Sequence, residues 1–421
     1  MSTGQSYIST PFLTDTLALI LAGGAGTRLK TLTRWQAKPA VSFGGKYRTI
    51  DFSLSNCVNS GMRKISVLTQ YKSQTLNTHI SRAWNIFHPG LGEFIELIPA
   101  QQRVKDSWYT GTADSVFQNI DIIRQHNPKY VLVLAGDHIY KMNYAKMLAH
   151  HIETGADMTV GSIEVPLKDA TEFGIMTVDD DWWIKEFSEK PANPSSLSDR
   201  PGYALASMGI YIFNIEFLLD EIISDSRNTN SSHDFGKDII PCNISDHRIS
   251  AYPFQDPETN EAAYWKDVGT IDSYYRANIE LMKVTPSLNL YDKQWPIWTY
   301  QRQLPPAKFV FDDDGRRGMA VDSMVSAGCI ISGASIKHSL LSNNVRVHSF
   351  STVEDSVILP DVDIGRDCII KNAIIGEGCH IAPGTVIGEN READSRRFYV
   401  SDEGVILVTN DMFDPVLNHV A

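Results

Sequence analysis

A chain of 421 residues, 43% hydrophobic and 21% charged, is long enough for about two or three domains and has the composition of an ordinary globular protein. Its formal net charge of -12 excludes nucleic acid and anionic membrane as main partners, because both reward a basic surface. The five cysteines (Cys57, Cys242, Cys329, Cys368, Cys379) form no C-x-x-C pair and are odd in number, so neither a zinc ribbon nor a disulfide framework is indicated. With no apolar run near the roughly 20 residues of a membrane helix and no signal-peptide core, a reducing, cytoplasmic setting is expected.

Residues 17–30 read LALILAGGAGTRLK. The nearly continuous apolar run is the pattern of a strand buried on both faces of a parallel sheet. Gly23, Gly24 and Gly26 follow, a turn in which no Cβ blocks a ligand and successive N–H groups can point at an anion. No Gly-Lys-Ser/Thr follows, so this is not a P-loop, and Leu29 stands where a dinucleotide fingerprint needs its third glycine. The stretch from Arg28 through Lys30, Arg34, Lys38 and Lys46 to Arg48 contains no Asp or Glu. A basic island behind a glycine cradle, in an acidic protein, suits a highly anionic ligand.

Strand-like runs at residues 64–70, 130–137, 156–165 and 207–214 alternate with helix candidates at 113–126 and 144–154. That alternation predicts an α/β layered domain with a mainly parallel sheet, whose ligands bind outside the carboxyl ends of the strands. Gly23 and Asp137 fall at such ends. Residues 286–318 are richer in proline and charge and read as a connector. Beyond it Val325, Ile331, Ile336, Leu341, Val347, Val353, Ile358, Ile364, Ile370, Ile375, Ile381 and Ile387 recur at intervals of five or six residues, the hexapeptide texture of a parallel β-helix. The segment from Phe398 to Val408 is placed to cap it.

Several polar clusters invite a chemical reading, and each also has a purely structural one. Asp137, in LVLAGDHIYK, is a metal ligand or a turn residue; Asp267, in YWKDVGT, lies between aromatics and a glycine turn. Two such carboxylates beside phosphate oxygens are a common setting for Mg²⁺. FSEKP offers Glu189 and Lys190, a cation suited to a monoester phosphate or simply an exposed pair. WYTGTADS and SSHDFGKD mix aromatics, glycine and carboxylates as a sugar or base site would, yet Thr112, Asp114 and Asp234 also suit helix starts.

Taken in order, LAGGAGTRL, AKPA (residues 37–40), TGTADS, AGDHIYK, FSEKPA, SSHDFGKDIIP and YWKDVGT, followed by a hexapeptide solenoid, closely resemble the ADP-glucose pyrophosphorylase (glucose-1-phosphate adenylyltransferase) family, bacterial type, over nearly the whole chain. The resemblance implies a Rossmann-like nucleotidyltransferase domain over residues 1–285, a connector over 286–320, and a C-terminal left-handed parallel β-helix over 321–421 for regulation and oligomer contacts. It implies adenylyl transfer from ATP to glucose 1-phosphate with Mg²⁺, in a homotetramer. Gly24, Gly26 and Arg28 would then hold the ATP phosphates, with Lys38 neutralising them, and Gln102, Gly111 and Asp114 would surround the nucleotide. Tyr109, Gly174, Glu189, Lys190, Ser207, Asp234 and Trp265 would surround glucose 1-phosphate, and Asp137 and Asp267 would bind the metal. Arg28, Lys38 and Asp137 would be the catalytic set.

Three rival readings are a transferase of another base or sugar, a regulatory subunit that keeps the fold without catalysis, and a β-helix acyltransferase. The intact Arg28, Lys38, Asp137, Lys190 and Asp267 oppose the second, and the absence of a supported catalytic His among His338, His348 and His380 opposes the third. Many bacterial members of the family respond to fructose 1,6-bisphosphate through basic residues just before AKPA and on the β-helix. Here Trp35 and Gln36 occupy the first of these places, and Glu377, Asn410, Asp411 and Asp414 stand in the C-terminal part. Weak activation by the bisphosphate, or a different small-molecule effector, is expected.

Overall fold

The computed structural model describes residues 10–101, 108–256 and 262–412. Gln102 and Asp414 therefore lie outside the described residues.

The Thr16–Ala22 strand lies between Tyr130–Ala135 and Lys64–Thr69, parallel to both, and Phe94–Pro99 extends the sheet in the same sense. Alternate residues serve two cores. Ala18, Ile20, Val67, Leu132 and Leu134 face the helices Ile50–Asn59, Gln74–Ala83 and Tyr144–Thr154. Leu17, Leu19, Leu68, Val131 and Val133 face Ala113, Val116 and Ile123 together with the helix Ile215–Asp225. Burial on both faces is what the unbroken apolar run demanded.

On the other side of Tyr130–Ala135 the sheet changes sense. The long Tyr203–Asn214 strand pairs antiparallel with it, and also with Met158–Pro166 and Gly174–Val178. Gly174–Val178 and Ile184–Glu189 form an antiparallel hairpin at the end of the nine-stranded sheet. The helix expected over 113–126 is two helices, Thr112–Phe117 and Ile120–His126. At the break the Asn119 amide donates to the Ser115 carbonyl (2.8 Å) and the Tyr109 hydroxyl (2.8 Å), side-chain bonds that compete with helix continuation.

The C-terminal part is a solenoid of three parallel sheets, consistent with a left-handed β-helix. The twelve recurring aliphatics sort into three stacks. Ile331, Val347, Ile364 and Ile381 are register partners in one sheet, Ile336, Val353, Ile370 and Ile387 in the second, and Val325, Leu341, Ile358 and Ile375 in the third. Each turn therefore presents one side chain per face, and all but Val325 are buried. Parallel pairing begins at Lys308–Val310, within the stretch expected to be connector. Ile406–Val408 adds to the third sheet, and Phe398 closes the apolar interior.

The two parts share a core. Leu29, Val41 and Tyr274 pack with Leu340, Val357, Ile374 and Leu407, with the Ile271–Glu280 helix between the parts. The Tyr275 hydroxyl donates to the Asp355 carbonyl at 2.6 Å, and Arg34 meets Asp411 at 2.6 Å.

Candidate active site

The chain leaves the Thr16–Ala22 strand into Gly23–Gly26, and Gly26, at φ 64°, turns it into the segment that carries Arg28. That left-handed angle suits glycine. Asp137 lies just past the neighbouring Tyr130–Ala135 strand. A two-stranded ribbon brings in the distant carboxylate: Trp265–Asp267 pairs antiparallel with His138–Tyr140, setting Asp267 opposite His138. Lys38, buried at the start of a short 3-10 turn, reaches both acids, with Nζ 2.6 Å from Asp137 Oδ2 and 2.8 Å from Asp267 Oδ1.

Burial alone would push the Lys38 ammonium down, but Asp137 and Asp267 outweigh it and hold its pKa above the ordinary value. Burial opposes the charge on Asp137 as well, yet Lys38 and the adjacent His138 overcome it and hold the carboxyl down at about 2. The centre is thus one ammonium between two carboxylates. Arg28 extends it, with one guanidinium nitrogen 3.5 Å from Asp267 and the other 2.7 Å from Glu172.

Glu189 and Lys190, at the end of the Ile184–Glu189 strand, form the facing wall. A Cβ on Gly174 would lie 2.4 Å from the Phe187 ring and 2.8 Å from Glu189 Oε2, so glycine there leaves room for the Glu189 carboxylate. Burial raises the Glu189 pKa, Lys190 at 3.6 Å opposes the rise, and Asp234 adds to it. Lys190 itself has φ 47°, a left-handed angle disfavoured for a residue that carries a Cβ, and its N–H donates to the Phe173 carbonyl at 3.0 Å.

The third wall joins two distant segments. The Thr112 hydroxyl donates to Asp234 at 2.9 Å and accepts the Phe235 N–H at 3.0 Å, while the other Asp234 oxygen caps the π-helical turn Phe235–Ile239. Asp234 is therefore a helix cap, and it also lines the cleft.

These walls enclose a cavity of about 630 Å³ lined by Gly24, Tyr109, Gly111, Asp137, Glu189, Lys190 and Asp234, among others. Not every expected residue opens into it. Asp114 turns its carboxylate back to the Thr110 N–H (2.8 Å) and the Gln118 amide (2.9 Å), so it shapes the Tyr109–Gly111 turn. Ser207 is buried beneath, accepting the Gly209 N–H at 3.2 Å. Trp265 is buried behind His138 and Phe173, with ring centroids 5.0 and 5.2 Å away. Gly26, Arg28, Lys38, Gly174 and Asp267 support the lining from behind or beside it.

Sequence reasoning missed His138, Gln70 and Tyr211, which line the cavity, and Glu172, which holds Arg28. His138 was signalled by its place next to Asp137. Glu172 gave no signal, being one acid in a polar stretch.

A glycine loop and two lysine-neutralised carboxylates at the strand ends of an α/β sheet, followed by a hexapeptide solenoid, define a nucleotidyltransferase. Residues 17–284 match the family described as "Nucleotidyl transferase", and residues 305–408 the one described as "GlmU-like, C-terminal hexapeptide". The glucose-1-phosphate adenylyltransferase of Methylococcus capsulatus is 62% identical over 397 residues, 94% of this chain and 94% of that protein. Those of Hydrogenovibrio crunogenus (60%; 96% of this chain and 97% of that one) and Nitrosococcus oceani (61%; 94% and 94%) are similar. The chain belongs to the glucose-1-phosphate adenylyltransferase family.

Proposed function

We propose that this enzyme transfers the adenylyl group of ATP to α-D-glucose 1-phosphate, giving ADP-glucose and pyrophosphate for α-glucan (glycogen) synthesis. The observation that carries the reading is the Lys38 ammonium bridging Asp137 and Asp267 beside the glycine loop, across the cleft from Lys190.

A sugar phosphate, with a second pKa near ~6, is a dianion at neutral pH and needs no general base. Its oxygen attacks the α-phosphorus of ATP; the new P–O bond forms as the bond to the β-phosphate breaks, and the electron pair leaves on pyrophosphate. The protein's task is to hold two anions in line and neutralise the charge that develops. The Gly24–Gly26 loop and Arg28 take the triphosphate, Lys38 offsets charge at the reacting centre, and Lys190 holds the sugar phosphate. Tyr109 and Gly111, with Asp114 as support, border the nucleotide half, and Glu189 and Asp234 accept sugar hydroxyls.

The two carboxylates that converge on Lys38 are a donor set suited to a hard divalent cation that takes its remaining ligands from water and phosphate. Asp137 and Asp267 would hold Mg²⁺, which supplies further charge neutralisation at the phosphate oxygens.

The reading extends to a cytoplasmic homotetramer open to a small-molecule effector. Phe309, Phe311, Phe350 and Val386 are exposed at separate places on the solenoid, where contacts with further copies would cover them. Among the described residues no helix is long and apolar enough to cross a membrane.

Pyrophosphate release from each of the four common nucleoside triphosphates, offered with glucose 1-phosphate and with other sugar phosphates, tests the proposal. ATP with glucose 1-phosphate is expected to turn over fastest; a clear preference for another base or sugar would overturn it.

A further inference from the structure

Arg28 contacts two carboxylates of different origin. Asp267, at 3.5 Å, belongs to the Lys38 centre, whereas Glu172, at 2.7 Å, comes from the turn Ala170–Glu172 that leads into the Gly174–Val178 strand. The side chains of Arg28 and Glu172 are 51% and 59% exposed, so this pair lies near solvent and not at the buried floor. Among the described residues, Arg28 is the cation within ion-pair distance of Glu172.

The next residue ties this turn to the opposite wall. The Phe173 carbonyl accepts the Lys190 N–H at 3.0 Å, and Gly174 is the register partner of Glu189. The Phe173 ring also lies against Trp265, with centroids 5.2 Å apart. Trp265 Nε1 and the neighbouring His138 Nδ1 are buried without hydrogen-bond partners, an uncommon condition for such atoms.

A triphosphate and Glu172 carry the same sign of charge and compete for one guanidinium. We propose that Glu172 is a counter-ion that competes with the triphosphate: it holds Arg28 until the triphosphate displaces it. The proposal rests on the adenylyl-transfer reading above. It places a negative contribution to ATP affinity at Glu172, the opposite of what a supporting residue would show.

Initial rates of the full chain, with ATP and glucose 1-phosphate varied in turn, test it in the wild type, Glu172→Gln and Glu172→Asp. Glu172→Gln is expected to lower the KM for ATP about two- to five-fold, the range of an exposed ion pair, with kcat within about twofold. Glu172→Asp should move back towards the wild-type KM. The difference between wild type and Glu172→Gln should shrink as KCl is raised, because exposed charges are screened. A wild type that turns over, with an unchanged or raised KM for ATP in Glu172→Gln, overturns this proposal alone. A wild type with no ATP-dependent turnover overturns the functional reading and this proposal with it.

Discussion

The Lys38 ammonium stands 2.6 Å from Asp137 Oδ2, and the same nitrogen holds Asp267 at 2.8 Å, so one buried cation fixes both acids of the centre. Replacing Asp137 by Asn keeps the shape and removes the charge. The variant is expected to fold, with kcat lowered by about 10²-fold or more, the scale of a lost transition-state charge clamp. Near-normal kcat in a folded variant would remove Asp137 from the mechanism.

The same contact makes stability depend on pH. The Asp137 carboxyl is held down at about 2, below the ordinary aspartate range, so its ionised form favours the folded state. That contribution is fully present above the unfolded pKa and fades as pH falls through the folded one. Wild type is therefore expected to exceed Asp137→Asn in thermal midpoint at pH 7, with the gap closing between about pH 4 and pH 2. A gap that widened in acid would contradict the assignment.

Lys190 faces the cleft from the other wall, 3.6 Å from Glu189. Its contact with a sugar phosphate forms in the ground state, so Lys190→Ala should raise the KM for glucose 1-phosphate far more than it lowers kcat. Loss of a charge-assisted contact worth about 1.5–3 kcal/mol corresponds to roughly 10- to 100-fold. Steady-state kinetics with each substrate varied would show the split, and a change confined to the KM for ATP would assign Lys190 elsewhere.

Between the two parts of the chain a second cavity of about 490 Å³ is lined by Trp35, Gln36, Arg48, Glu377, Asn410 and Asp411, among others. The arginines near it already have acidic partners, Arg34 with Asp411 at 2.6 Å and Arg48 with Glu377 at 3.4 Å. A bisphosphate would have to break these pairs and approach the released carboxylates. Fructose 1,6-bisphosphate is therefore expected to activate weakly or not at all. Titration at subsaturating ATP checks this, and strong activation at micromolar effector would show that the arginines exchange partners readily.

What could be read from the sequence was what is encoded locally. The buried Thr16–Ala22 strand, the glycine turn and the strand-end position of Asp137 each rest on a few consecutive residues. The solenoid was legible because every turn repeats the same inward aliphatic. Its first strand was not, since Lys308–Val310 sits in a proline-rich stretch with Phe309 exposed. The meeting of Asp137 with Asp267 was also hidden, because it depends on pairing between Trp265–Asp267 and His138–Tyr140, a tertiary event with no local pattern. The same holds for Asp114, whose carboxylate serves its own turn, and for Glu172, whose partner is fixed only by the fold.

The most direct test of adenylyl transfer follows the α-phosphorus of ATP. With glucose 1-phosphate present, label at the α position is predicted to appear in ADP-glucose and label at the γ position in pyrophosphate, with neither product formed when the sugar phosphate is omitted. Label from the α position recovered in free AMP, or ADP-glucose formed without it, would contradict attack at that phosphorus and the account built on it.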